Sequence, residues 1–218
     1  MGNVKQILAM MKDYATTHRV PIISLEGGQL LQSVAAAAQP AAVLEIGTAI
    51  GYSTLLLATA MMPGGQITTI EQDDDRIAVA KQFLAEAGVL NQTDIIAGDA
   101  GVVIPRLTGT YDLVFIDAAK GQYLDYLEKV LDKLSPEAVI IADNVLFRGW
   151  VLDETAAPKR FRTIVKRLKS YLDFVTNDLR FETTVHHIGD GMAVSFYRER
   201  RSNEKTGTFS PCRQFRET

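Results

Sequence analysis

The stretch from Val43 to Ser53, Val-Leu-Glu-Ile-Gly-Thr-Ala-Ile-Gly-Tyr-Ser, constrains the fold of this chain more than any other. An apolar run ends in Glu45 and Gly47. A second glycine, Gly51, follows four residues later, and then comes a helix-forming stretch, Ser53 to Met62. The order reads as a buried strand, a tight turn and a helix N-terminus, the opening unit of an α/β nucleotide-binding fold. The glycines permit positive φ and close backbone approach. The helix N-terminus offers free N–H groups to an anion, most simply a carboxylate. The spacing is not the dinucleotide fingerprint G-x-G-x-x-G, because Thr48 and Ala49 follow Gly47, and no G-x-x-x-x-G-K-[ST] occurs. A short glycine motif can equally be a plain tight turn, so the rest of the chain must decide.

Downstream the pattern alternates. Strand 42–47 precedes helix 52–62, which Pro63-Gly64-Gly65 breaks. Strand 66–71, helix 74–87 and strand 93–97 follow, then a short helix from Ala100 to Arg106. Strand 111–117, helix 121–134 (ended by Ser135-Pro136), strand 138–143 and a helix at about 157–177 complete the alternation. Runs 181–188 and 191–198, joined by Gly189-Asp190-Gly191, form a hairpin. Near-continuous apolar strands separated by helices predict a parallel sheet covered on both faces. The expected architecture is therefore α/β and Rossmann-like. It has a seven-stranded, mostly parallel sheet with a C-terminal antiparallel hairpin. Two amphipathic helices, 3–16 and 26–38, precede the first core strand as an N-terminal helical cap over residues 1–40. Such a cap covers a cofactor, a partner subunit or merely a sheet edge. The core spans 42–198, cap and core form a single domain of residues 1–198, and 199–218 is a polar tail expected to fray.

Composition narrows the class. A chain of 218 residues with 47% hydrophobic content is one good-sized domain with a large core. The single cysteine, Cys212, has no partner for a disulfide or a zinc cluster, which suits a reducing, cytoplasmic setting. Lys5, Lys12, Asp13 and Arg19 break up the N-terminus, so it is not a signal peptide, and Gln6 stands where a myristoylation signal wants Ser or Thr. No apolar run approaches membrane-spanning length. A net charge of −3 argues against bulk nucleic-acid binding.

In an open parallel sheet, ligands sit beyond the C-terminal strand ends. Here all five core strands end in acids or amides: Glu45, Glu71, Asp99, Asp117 and Asp143-Asn144. Any one of these is ordinarily a helix cap or a turn former. Five on one rim point to a site. Glu71 stands 26 residues after Glu45 and can accept both ribose hydroxyls of a nucleoside, while Gly98-Asp99-Ala100 is placed to meet its base. Asp117, Asp143 and Asn144 supply two carboxylates and an amide, all hard oxygen donors. With no Cys or His at these strand ends, Mg²⁺ is favoured over zinc or copper. Lys120, three residues past Asp117, reaches the same rim. A lysine beside a divalent cation gives up its proton more readily and can act as a general base.

Leu44-Glu45-Ile46-Gly47-Thr48, Gly51-Tyr52-Ser53, Ile116-Asp117-Ala118-Ala119-Lys120 and Asp143-Asn144-Val145-Leu146 resemble the cation-dependent O-methyltransferases that use S-adenosylmethionine (SAM), the catechol and caffeoyl-CoA group. The resemblance covers about residues 20–198. It is nearest to the bacterial tRNA 5-hydroxyuridine methyltransferases, through Val20-Pro21-Ile22, Ala119-Lys120-Gly121-Gln122-Tyr123, Asn144-Val145-Leu146-Phe147-Arg148-Gly149 and Gly189-Asp190-Gly191-Met192-Ala193. The resemblance implies a class I SAM methyltransferase fold. It implies that Glu45, Gly47, Ser53, Glu71, Gly98, Asp99, Ala100 and Asp117 hold SAM, with the backbone near Gly28 also in contact. Family members usually carry a bulkier residue where this chain has Gly27-Gly28. Asp117, Asp143 and Asn144 would hold Mg²⁺, and Asp117 and Lys120 would be catalytic. The acceptor would be the 5-hydroxyl of 5-hydroxyuridine at the tRNA wobble position. The alternative acceptor is a small hydroxylated aromatic, catechol-like or a hydroxycinnamoyl-CoA. The family and the N-terminal apolar helices together suggest a homodimer.

Charge distribution bears on the acceptor. From Pro158 to Ser170 the chain carries Lys159, Arg160, Arg162, Lys166, Arg167 and Lys169 and no acid, with Arg148 just upstream. In an acidic protein this stripe is a candidate phosphate track, and Arg148, Lys159 and Arg160 are candidate substrate contacts.

Overall fold

The computed structural model describes residues 3–199; the polar tail and Cys212 lie outside the described residues. The chain opens with α1 (Val4–His18), capped by the Asn3 side chain, which accepts the Lys5 N–H at 3.0 Å. Ile7, Met11 and Ala15, spaced by four, form its buried stripe. Helix α2 (Leu25–Ala38) starts at Ser24, whose hydroxyl accepts the Gly27 N–H at 3.0 Å.

The core then alternates: β1 (Ala42–Ile46), α3 (Tyr52–Ala60), β2 (Gln66–Glu71), α4 (Asp74–Glu86), β3 (Thr93–Ala97), α5 (Ala100–Val103) and β4 (Tyr111–Ile116). It continues with α6 (Tyr123–Val130), β5 (Leu134–Asp143), α7 (Arg162–Asn177), β6 (Phe181–His186) and β7 (Met192–Tyr197). The seven strands order as β3-β2-β1-β4-β5-β7-β6. The first five are parallel, and β7 runs antiparallel to both β5 and β6. Strand order reverses between β1 and β4, which opens a crevice above their C-terminal ends.

Alternation along each strand splits the core in two. Leu44, Ile46, Val114, Ile116 and Ile140 face α6 and α7, where Leu127, Leu168 and Tyr171 are buried. Val43, Leu113, Phe115, Val139 and Ile141 face α1, α2 and α3, meeting Ile7, Met11, Leu31 and Leu55. The N-terminal helices are thus half of the sheet's cover.

Four boundaries differ from the expectation. The helix expected at 157–177 begins at Arg162, preceded by two short 3-10 turns. Pro158 disfavours helical geometry in the residue before it, which delays the start. Helix 121–134 shrinks to α6 flanked by 3-10 turns. Ser135-Pro136 does not end it but lies inside β5, at a register shift where Tyr111 pairs with Leu134 and Leu113 with Val139. Proline is tolerated there because the irregularity leaves it no ladder bond to donate. The hairpin strands are each shorter than drawn, 181–186 and 192–197.

Candidate active site

A cavity of about 590 Å³ opens at the C-terminal ends of β1, β2, β4 and β5, roofed on one side by Pro21 to Ser24 of the N-terminal cap. Its volume falls within the range typical of small-molecule sites. Gly47, Ser53, Glu71, Gly98, Asp99, Ala100, Asp117, Lys120, Asp143 and Asn144 all line it. Most of the strand-end residues picked out by sequence are therefore brought to one place.

One end is built around Glu71. Its carboxylate accepts the main-chain N–H groups of Ala49 and Gln72, each at 2.9 Å, and of Asp73 at 3.1 Å. Three fixed donors orient it, and its remaining lone pairs face the cavity as acceptors. Gly47 lies beside it with φ of 108°. A Cβ there would sit 2.1 Å from the Asp117 carbonyl oxygen, so only glycine lets β1 and β4 part at this point.

The other end holds Asp117, Asp143, Asn144 and Lys120. Asp117 and Asp143 each stand one residue past the last β4–β5 pair, Ile116 with Ala142, so they are neighbours at the sheet edge. Burial, and then the charge of Asp117, push the Asp143 carboxyl up to about 7. Burial also raises Asp117, with the Lys120 ammonium acting the other way. Lys120 Nζ donates to Asn144 Oδ1 at 2.6 Å. Asn144 adopts φ of 57°, turning the chain sharply so that its amide returns to the cavity. Among the described residues no group of three or more His, Cys, Asp or Glu side chains is disposed to hold a metal. Two facing carboxylates and one amide oxygen, with a single lysine nearby, form instead an oxygen-only set with excess negative charge. That is the donor chemistry a hard divalent cation requires, and these residues fit one.

The structure places five of the expected residues elsewhere. Glu45 is fully buried beneath the cavity wall and does not line it. Its carboxylate accepts the Ser53 and Thr69 hydroxyls at 2.6 Å each and also that of Thr54. Side chains alternate across a strand, so Glu45 points into the layer between β1 and α3 rather than to the rim. Burial pushes its carboxyl up to about 7. Gly28 is likewise buried away from the cavity. A Cβ there would meet Leu56 Cδ1 at 3.0 Å, so it is the close-packing point of α2 on α3. Arg148, Lys159 and Arg160 are exposed and do not line the cavity. Arg148 lies 5.4 Å from the Trp150 ring and Arg160 4.6 Å from the Phe161 ring, and the two rings stack at 5.2 Å.

Asp190, in the β6–β7 turn, was missed. It lines the cavity, raises Asp143 by its charge and accepts the Arg148 main-chain N–H. Its Gly-Asp-Gly setting read as a hairpin turn and as part of the family resemblance, with no site role given to Asp190. Gln72, Arg76 and Tyr126 also line the wall without any motif to mark them, as does Tyr52, which stood in the Gly51-Tyr52-Ser53 motif but was given no site role.

The strand order and the two-ended cavity define a Rossmann-like fold of the class I, SAM-dependent methyltransferase type. The chain belongs to the O-methyltransferase family, whose model matches residues 3–198. It is 38% identical over 138 residues to a catechol O-methyltransferase of Niastella koreensis, a match covering 62% of each chain. It is 29% identical to caffeoyl-CoA O-methyltransferase 1 of Arabidopsis thaliana, over 78% of this chain and 69% of that one. The first of these matches thus spans about three fifths of its relative's length. Among solved structures, the O-methyltransferase TomG of Streptomyces achromogenes in complex with SAM superposes with a TM-score of 0.80 at 28% identity. That match covers 88% of this chain and 90% of TomG. Among the described residues no helix is long and apolar enough to cross a membrane.

Proposed function

We propose that this chain is a SAM-dependent O-methyltransferase assisted by a divalent cation, Mg²⁺ before others. Its acceptor is the 5-hydroxyl of 5-hydroxyuridine at the tRNA wobble position, giving 5-methoxyuridine. One observation carries the reading: Asp117, Asp143, Asn144 and Lys120 meet at one end of a cavity whose other end presents Glu71 and Gly98-Asp99-Ala100.

When bound, SAM would supply the methyl group and a divalent cation would supply Lewis acidity toward the acceptor oxygens. The chain does the rest. Glu71, held by three backbone donors, accepts the ribose hydroxyls of SAM. Ser53 and the N-terminus of α3 border the cavity, and main-chain N–H groups there would meet its carboxylate. Asp117, Asp143 and Asn144 offer oxygen ligands, and two adjacent acceptor oxygens, such as O5 and O4 of the modified base, suit the open side of such a set. Lys120, having first released its own extra proton to solvent, would take the hydroxyl proton. The methyl group would pass to that oxygen as its bond to sulfur breaks, with S-adenosylhomocysteine released and the proton held on Lys120. A wobble base sits in a loop, so it enters the cavity without breaking a duplex.

The exposed Arg148, Lys159 and Arg160 beyond the cavity support an acceptor that carries phosphates. The names of the relatives favour a second reading, a catechol-like or hydroxycinnamoyl-CoA acceptor. In either reading the protein works in the cytoplasm. It works as a homodimer, with exposed Met10, Leu25 and Phe196 available for contact.

Mass spectrometry of tRNA nucleosides from a deletion strain tests the proposal. Loss of 5-methoxyuridine, restored in vitro by the purified chain with SAM and Mg²⁺, supports it. Unchanged tRNA with rapid methylation of catechol or caffeoyl-CoA supports the second reading, and full activity in EDTA defeats the cation role in both.

A further inference from the structure

The two carboxylates at the cation end have no ladder between them. The last β4–β5 pair is Ile116 with Ala142, and Asp117 and Asp143 both lie beyond it. On the other side, the Asp117 N–H is drawn to Ile46 of β1 at 3.0 Å, and Asp143 pairs with Met192 of β7. The sheet therefore pulls the two strand tips toward different neighbours. Something else must set their separation, since a shared ion tolerates ligand displacements of only a few tenths of an ångström.

Tyr123, the first residue of α6, occupies that gap. It is 1% exposed, and its hydroxyl donates to the Asp143 main-chain oxygen at 2.9 Å. Tyr123 itself follows Asp117 by six residues, at the end of the loop that leaves β4, and the Gln122 N–H closes that loop on the Ala119 carbonyl at 2.8 Å. A phenol hydroxyl donates to a carbonyl oxygen, so the bond to Asp143 runs from Tyr123 outward. The ring is fixed edge-to-face on Tyr171 at 5.8 Å, inside the α6–α7 core.

We propose that Tyr123 is a positioning residue for the cation site: its hydroxyl ties the loop that follows Asp117 to the main chain of Asp143 and so fixes the two carboxylates at a separation one ion can share. The inference rests on the reading that Asp117, Asp143 and Asn144 hold a divalent cation. Tyr123 touches neither the cation nor the acceptor. It acts from the second layer, where loss of a partner typically weakens metal binding about 10- to 100-fold.

Mn²⁺ is the probe, and free Mn²⁺ is followed by electron paramagnetic resonance with the full chain, beside SAM affinity by calorimetry. Tyr123→Phe keeps the ring and removes only the hydroxyl. It is expected to weaken Mn²⁺ binding at least about tenfold and to leave SAM affinity within about twofold. Tyr123→4-aminophenylalanine restores an N–H donor on the same ring and should return Mn²⁺ affinity toward wild type, which a loss of packing would not explain. Tyr171→Phe removes the neighbouring hydroxyl, which has no hydrogen-bond partner among the described residues, and should change neither affinity. Unchanged Mn²⁺ binding in Tyr123→Phe, a parallel loss of Mn²⁺ and SAM binding, or no recovery with the amino variant overturns the proposal. Absence of Mn²⁺ binding by the wild-type chain would overturn the underlying cation reading instead, so the two failures are distinguishable.

Discussion

Lys120 and Asn144 are joined directly across the cavity, Nζ to Oδ1 at 2.6 Å, although they are 24 residues apart and on different loops. The amine intended for the acceptor proton is therefore parked on an amide intended for the cation. A cation held by Asn144 would compete for that oxygen, and its charge would favour the neutral amine, the form of Lys120 that can accept a proton.

Lys120→Ala should consequently lower kcat by about 10²- to 10⁴-fold, the usual worth of a positioned general base. SAM affinity by calorimetry should stay within about threefold. Asp143→Ala should lose turnover in the same way, and it should lose the response of wild type to EDTA and added Mg²⁺. A Lys120→Ala enzyme with undiminished kcat would remove the lysine from the chemistry.

Glu45 makes a prediction about pH rather than catalysis. Its folded carboxyl is raised to about 7 from an ordinary 4.5, chiefly by burial, and the Ser53, Thr54 and Thr69 hydroxyls offset only part of that. The folded state therefore holds this proton more tightly than the unfolded chain between those values. The stabilisation is present in full below about pH 4.5 and is lost as pH rises to about 7, with a ceiling of roughly 3 kcal/mol. Glu45→Gln should flatten that part of the stability curve. Urea denaturation from pH 5 to pH 8, with EDTA present in both proteins, measures the difference; parallel curves would contradict it.

The same residue shows how far the sequence could be read. Gly47, Glu71 and Asp143 were legible because strand ends in a parallel sheet share a rim, so one-dimensional position gives three-dimensional place. Glu45 failed that rule by two residues, since a strand side chain belongs to the rim only at its last position and otherwise alternates into a face. Asp190 was illegible for the opposite reason. It reaches the cavity through the antiparallel return of β7 onto β5, in which Asp143 pairs with Met192 far along the chain, a pairing that no local pattern encodes. Pro136 misled because a proline usually ends an element, whereas here a register shift absorbs it.

Two glycines should separate packing from cofactor binding. Gly47→Ala would push a Cβ against the Asp117 carbonyl at a backbone angle hostile to side chains, and should cost on the order of 3 kcal/mol of stability together with SAM binding. Gly28→Ala presses on the flexible end of Leu56, meets Ile23 at an ordinary contact distance, and gains helix propensity. Its stability should stay within about 1 kcal/mol of wild type, with SAM affinity unchanged. Thermal melts with and without SAM read both quantities; a large SAM defect in Gly28→Ala would restore that position to the cofactor site.

The cationic surface outside the cavity decides between acceptors. Arg148 and Arg160 stand against stacked Trp150 and Phe161, so their guanidinium groups are held in place and not spread over all rotamers. Neither touches the cavity, so neither should matter to a catechol that fits inside it. A phosphate-bearing acceptor would be gripped by each of them. Arg160→Glu and Arg148→Glu should then raise KM for tRNA at least about tenfold and make the logarithmic salt dependence of tRNA binding shallower by about one for every phosphate no longer neutralised. kcat at saturation should barely move, because the reacting atoms are held by other residues. Methylation of catechol by the same variants should be unaltered. Equal KM for tRNA in wild type and both variants would mean that this surface is simply solvated, and the small-molecule reading would take precedence.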